Sequence, residues 1–108
     1  LWIIRDGEIL ETKADKQPIG KFEAATPFKQ HQIELRKNDL IYIFSDGFPD
    51  QFGGEKGKKF KYSNFKKLLL KEHQNSAEKQ AENIRNVLHN WKGDLEQLDD
   101  ICVIGIQF

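Results

Sequence analysis

The chain has 108 residues, enough for one domain with a modest core. Its 17 basic and 17 acidic side chains cancel, which argues against nucleic acid or an anionic membrane as main partner, since phosphate neutralisation drives such binding. A hydrophobic share of 38% beside 31% charged residues predicts a small core under a very polar exterior, and no apolar run nears the roughly 18 residues that span a bilayer.

Leu1-Trp2-Ile3-Ile4 is strand-like from the first residue and no methionine occurs anywhere, which reads as a fragment whose upstream partner strands are missing. Asp6-Gly7 between residues 1–5 and 8–12 predicts a β-hairpin, because that dipeptide suits a tight turn between apolar stretches. Residues 13–17 read as a loop and Pro18-Ile19-Gly20 as a bend. Partial alternation over 28–35 reads as a half-exposed strand with His31 facing solvent. Arg36-Lys37-Asn38-Asp39 predicts a tight turn in which Asn38 and Asp39 bond their own backbone. Leu40–Phe44 is an unbroken apolar run and predicts a strand buried on both faces. It stops at Ser45-Asp46-Gly47, where the chain reaches solvent and Gly47 lets it turn.

Residues 48–62 hold three glycines and four lysines, with Phe52 and Phe60 as isolated anchors, a composition suited to a mobile flap. Ser63 is the expected N-cap of a helix carrying Phe65, Leu68 and Leu69. Ser76 is the expected N-cap of a second, where Ala81, Ile84, Val87 or Leu88, and Trp91 recur at helical spacing until Gly93 ends it. Residues 101–106 predict a last strand with Cys102 as a small buried hydrophobe. The order predicts an α+β fold: a mostly antiparallel sheet with two helices on one face. A single cysteine excludes an internal disulfide and fits a reducing compartment.

The chemistry lies at the strand ends. If 40–44 and 101–106 run antiparallel in one sheet, the end of the first and the start of the last share a rim, gathering Asp46, Asp99 and Asp100. Aspartates at strand ends also serve simply to solvate and cap. Two carboxylates about 4 Å apart, however, repel by about 4 kcal/mol at an effective dielectric near 20. Such a cluster persists when it is well hydrated, partly protonated or metal-bound. Oxygen-only donors suit a hard cation, Mg²⁺ or Mn²⁺. Zinc is disfavoured, since His73 and His89 fall on separate helices and no cysteine–histidine set has ligand spacing. No glycine-rich phosphate loop and no nucleophile elbow occur, and no histidine is placed to activate Ser45. Lys56, Lys58 and Lys59 are either a solvated loop or an attractor for an acidic or phosphorylated partner.

Ser45-Asp46-Gly47-Phe48-Pro49-Asp50 after the central strand and Gln97-Leu98-Asp99-Asp100-Ile101 before the last resemble the C-terminal half of the metal-dependent (type 2C) protein serine/threonine phosphatases. The similarity is greatest to the bacterial branch containing the sporulation protein SpoIIE and the stress regulator RsbU. Pro18-Ile19-Gly20, Lys37-Asn38-Asp39 and Trp91-Lys92-Gly93 fall in the order of that branch, so the resemblance covers essentially all of residues 1–108.

The resemblance implies an α-β-β-α sandwich, here partial, with a two-ion Mn²⁺ or Mg²⁺ site at one end. Asp46 and Asp99 match the family's metal ligands. Asp100 matches a structural or outer position, and Asp50 one that is often Glu and serves beside the ligands. The implied reaction is in-line hydrolysis of phosphoserine or phosphothreonine by metal-activated water, with no covalent enzyme intermediate and no protein nucleophile. Implied partners are a phosphorylated regulatory protein, such as an anti-sigma-factor antagonist, and sensor domains upstream in the same polypeptide. The implied location is the cytoplasm, free or as part of a membrane-attached sensor. Residues 51–60, with Lys56, Lys58 and Lys59, would be a substrate-facing loop.

Two departures stand out. Cys102 replaces a common threonine. The family's other metal motif, an aspartate followed by Gly-His-Gly, has no counterpart in residues 1–108. Residues 1–108 alone are therefore expected to be inactive as the C-terminal part of the domain and, with an open sheet edge, to self-associate. The alternative is a non-catalytic module of the same fold that binds a regulatory partner.

Overall fold

A computed structural model describes residues 1–108. Six strands and three helices follow in the order β1 (Trp2–Arg5), β2 (Glu8–Glu11), β3 (Leu40–Phe44), α1 (Gly47–Asp50), β4 (Phe52–Gly53), β5 (Lys58–Lys59), α2 (Tyr62–Glu72), α3 (Ala77–Lys92) and β6 (Val103–Gln107). Strands β2-β1-β3-β6 form one antiparallel sheet and β4-β5 a two-residue hairpin beside it. The expected α+β architecture is present.

Alternation along the strands sorts the sheet into two faces. Trp2, Ile4, Leu40 and Tyr42 join one buried cluster with Phe48 of α1, Phe65, Leu68 and Leu69 of α2, and Ile84 of α3. Both long helices thus cover one face. Phe65 is fully buried, its ring 4.7 Å from that of Phe48, 5.0 Å from Phe44 and 5.6 Å from Trp2. The pairs Ile3↔Leu10, Ile41↔Ile106 and Ile43↔Ile104 mark the other face. There Ile3 and Ile41 are buried, but Leu10, Ile43, Ile104 and Ile106 are 42–48% exposed, so this apolar face is only partly covered and carries no second sheet in residues 1–108. Strand β6 is an edge of the sheet.

The hairpin turn falls where expected, with Asp6 at φ 51° and Gly7 at φ 76°, the pair of positive values that a tight two-residue turn needs. Ser76 caps α3, its hydroxyl accepting from the Lys79 amide at 3.3 Å, and Gly93 closes it at φ 53°.

Elsewhere the structure corrects the reading. Residues 28–35 form no strand, and Phe28, Ile33 and Leu35 are 55%, 39% and 39% exposed. Both sides of β1 and of β3 are already taken, so no central partner remains for that segment. Helix α2 starts a residue before Ser63, from Lys61 at φ 77°, with no side-chain cap. Cys102 is exposed, because β6 begins after it and its own stretch lies on the open rim.

The turn before β3 holds a buried charge. The Arg5 guanidinium donates to both Asp39 carboxylate oxygens, at 2.9 and 2.7 Å, and the Arg36 amide donates to one of them at 2.8 Å. Led by the Arg5 hydrogen bond, these donors lower the Asp39 pKa from 3.8 to about 2. A depressed carboxylate stabilises the fold at all pH above its unfolded value and loses that contribution as pH falls through the folded one. Acid titration should therefore lower the unfolding midpoint between pH 3.8 and about 2. Asp39→Asn should be less stable at neutral pH, and its midpoint should respond less to pH in that window.

Candidate metal centre

The site is built by the pairing of β3 with β6. Register from Leu40↔Gln107 to Phe44↔Val103 brings the residues after Phe44 beside those before Val103. The pairing continues past the ladder. The Ser45 amide donates to the Cys102 carbonyl at 3.0 Å, and the Ser45 hydroxyl donates to the Asp100 carbonyl and accepts from the Cys102 amide, each at 3.0 Å. Ser45 is thereby a staple between the two strand ends.

Asp46 stands at the N-cap position of α1 but its side chain caps nothing, and it is exposed. The next residue explains how the rim closes. A Cβ on Gly47 would lie 2.2 Å from the Asp100 carbonyl oxygen and 3.0 Å from Cγ1 of Ile101. Gly47 is absent from the positive-φ residues, so close approach, rather than the turn expected from sequence, requires glycine here. Across the rim, the Asp100 amide donates to Oδ1 of Asp99 at 2.7 Å. That bond orients the Asp99 carboxylate and leaves its other oxygen without a partner of this kind.

A cleft of about 140 Å³ opens beside these residues, lined by Gly47, Asp50, Gln51, Phe52, Lys59, Leu98 and Asp99. Asp50 meets Lys59 at 3.5 Å. Burial, then Asp50, then Asp46 raise the Tyr62 phenol above its ordinary value, so both carboxylates project a field over the same ring. Of the three hairpin lysines, Lys59 lines the cleft and Lys56 and Lys58 do not.

The expected cluster is only partly formed. Asp46, Asp99 and Asp100 share the rim, but no group of three or more His, Cys, Asp or Glu side chains converges at metal-binding spacing. Asp100 contributes its backbone: its carbonyl accepts from Ser45 and its amide donates to Asp99. The donor set of exposed carboxylates still fits a hydrated hard cation, which takes one or two carboxylates and keeps several waters. It does not fit a closed cage. Asp46 and Asp99 are the residues that would hold such an ion, with Asp50 beside them.

One supporting residue, Gln51, was invisible in the sequence, where Trp91 reads only as part of a helical face and motif. Gln51 is buried, its amide donating to the carbonyls of Phe52 and Glu96 at 3.0 Å each. Its own carbonyl accepts from the Trp91 indole at 2.9 Å and the Phe60 amide at 3.0 Å. The Trp91 carbonyl accepts from the Gly54 amide at 2.9 Å, and a Cβ on Gly53 would lie 2.0 Å from that same oxygen. The glycine pair read as flap mobility is thus a clasp between the hairpin, the end of α3 and the segment leading to Asp99.

Against this geometry stand three comparisons. The family model of stage II sporulation protein E (SpoIIE) matches residues 1–108. Among solved structures, the SiaA-PP2C domain of Pseudomonas aeruginosa superposes with a TM-score of 0.86 at 29% identity, covering 99% of this chain and 42% of that one. No curated protein matches in sequence. The chain therefore spans less than half the length of the solved relative. No helix is long and apolar enough to cross a membrane.

Proposed function

Since the chain belongs to the SpoIIE family and has the fold of a PP2C-type phosphatase domain, we propose that it is the C-terminal part of a metal-dependent protein serine/threonine phosphatase. The observation that carries the reading is the β3–β6 register, which sets Asp46 and Asp99 on one rim from well-separated points of the sequence. PP2C-type domains are generally metal-dependent. Asp46 and Asp99 would hold the cations, with further ligands from outside residues 1–108. Mn²⁺ or Mg²⁺, when bound, supplies the activated water for in-line attack at phosphorus.

The chain's own residues prepare that place. The Asp100 amide fixes the Asp99 carboxylate, and Ser45 locks the two strand ends together. Gln51 and Trp91 hold the wall that carries Asp50 and Lys59. The hairpin lysines Lys56, Lys58 and Lys59 face an acidic, phosphorylated partner. That partner is a cytoplasmic regulatory protein such as an anti-sigma-factor antagonist, and sensor domains in the same polypeptide govern the output.

The intact protein should release phosphate from a phosphoserine peptide in Mn²⁺, stop on addition of EDTA and resume when Mn²⁺ is restored. Residues 1–108 alone should be inactive and should self-associate through the open apolar face and the β6 edge. Absence of Mn²⁺-dependent release by the intact protein rejects the enzyme in favour of a partner-binding module.

A further inference from the structure

We propose that Lys59 is the specificity-determining residue that takes the phosphoryl group of the substrate, exchanging Asp50 for it when a phosphorylated side chain enters the cleft. The proposal rests on the phosphatase reading and adds to it the residue that recognises substrate charge. Asp50 and Asp99 line the cleft and Asp46 lies on the same rim, so an approaching phosphate dianion meets repulsion. Lys59 is the only basic residue in the lining.

Its position is built rather than incidental. Lys59 pairs with Phe52 across the β4–β5 hairpin, and the neighbouring Phe60 amide donates to the Gln51 carbonyl at 3.0 Å. Gln51 and Trp91 in turn tie that hairpin to the Asp99 segment. The ammonium lies 3.5 Å from Asp50 and 6.0 Å from the centroid of the Phe52 ring, so the side chain is laid along the rim.

The ion pair is poised to change partner. Its two side chains are 52% and 40% exposed, and half-exposed pairs at this distance contribute little to stability. A phosphate dianion offers an ammonium more charge and more acceptor oxygens than one carboxylate does. Lys56 and Lys58, outside the cleft, lack this geometry.

The test uses the intact protein with Lys59→Gln, Lys59→Arg and, as control, Lys67→Gln, at an exposed lysine of α2 outside the cleft lining. Lys59→Gln should raise KM for a phosphoserine peptide about tenfold with little change in kcat, the size of one charge-assisted hydrogen bond. Calorimetry of inorganic phosphate with the Mn²⁺-loaded protein should show binding weakened by about the same factor, while Mn²⁺ affinity stays unchanged. Lys59→Arg should recover most of both, and Lys67→Gln should match the parent. Unchanged KM and phosphate affinity in an active Lys59→Gln protein overturns the proposal, as does an effect confined to Mn²⁺ affinity, which would reduce Lys59 to a prop for Asp50. An intact parent without turnover fails the phosphatase reading instead, and the phosphate titration then decides whether Lys59 is an anion contact.

Discussion

Gly47→Ala is expected to cost the intact protein about 3 kcal/mol or more of stability, at or above the upper end of ordinary overpacking. The reason is the identity of the atom in the way. The new methyl would sit 2.2 Å from the Asp100 carbonyl oxygen, and backbone cannot swing aside as the end of a flexible side chain can. Relief requires the rim to open, and opening breaks the three hydrogen bonds that join Ser45 to Asp100 and Cys102. Asp46 and Asp99 separate in the same movement. Urea unfolding should show a lower midpoint, and Mn²⁺ titration a weaker site. Gly7→Ala is the matched control: Gly7 has φ 76° with nothing near its Cβ position, so alanine there is strained without displacing the rim. A Gly47→Ala protein with parental midpoint and Mn²⁺ affinity rules out the close approach.

That contrast also marks how far the sequence could be read. Local chemistry was legible where one segment contains the whole reason for its structure. Asp6-Gly7 needs only its own backbone angles, Ser76 caps its own helix, and the unbroken run Leu40–Phe44 forms a strand, although it is not buried on both faces throughout as expected, since Ile43 is exposed on the side away from the helices. The shared rim followed from two such runs and the assumption of antiparallel pairing, which the register satisfies. What stayed hidden depends on a distant partner. Gly47 is glycine because of Asp100, Gly53 because of Trp91, and Gln51 is buried because Glu96 and Trp91 use both its ends. Residues 28–35 carry a strand-like alternation, yet whether it pairs is settled by edges that other strands already occupy. Cys102 likewise has a core-strand neighbourhood in sequence and an open rim in space.

On the proposed reading, substitution of the two rim aspartates separates catalysis from stability and has the largest effect expected on function. In the intact protein, Asp46→Asn and Asp99→Asn should each lower kcat/KM by about 10³-fold. That is the several kcal/mol of charge stabilisation a bound cation supplies, at 1.36 kcal/mol per tenfold. Mn²⁺ affinity by calorimetry should fall with it, since asparagine keeps the shape and removes the charge that a hard cation requires. Stability should hold or rise slightly. Both carboxylates are exposed, and removing one relieves repulsion along the rim without emptying a core position. Asp100→Asn is the discriminating neighbour: its carbonyl and amide make the bonds to Ser45 and Asp99, and asparagine retains both. It should keep turnover within about threefold of the parent, well inside the scatter of a surface change without charge function. If all three variants behaved alike, the rim would be a generic acidic edge. If Asp46→Asn and Asp99→Asn turned over normally, the β3–β6 pairing would organise a fold and not a metal centre.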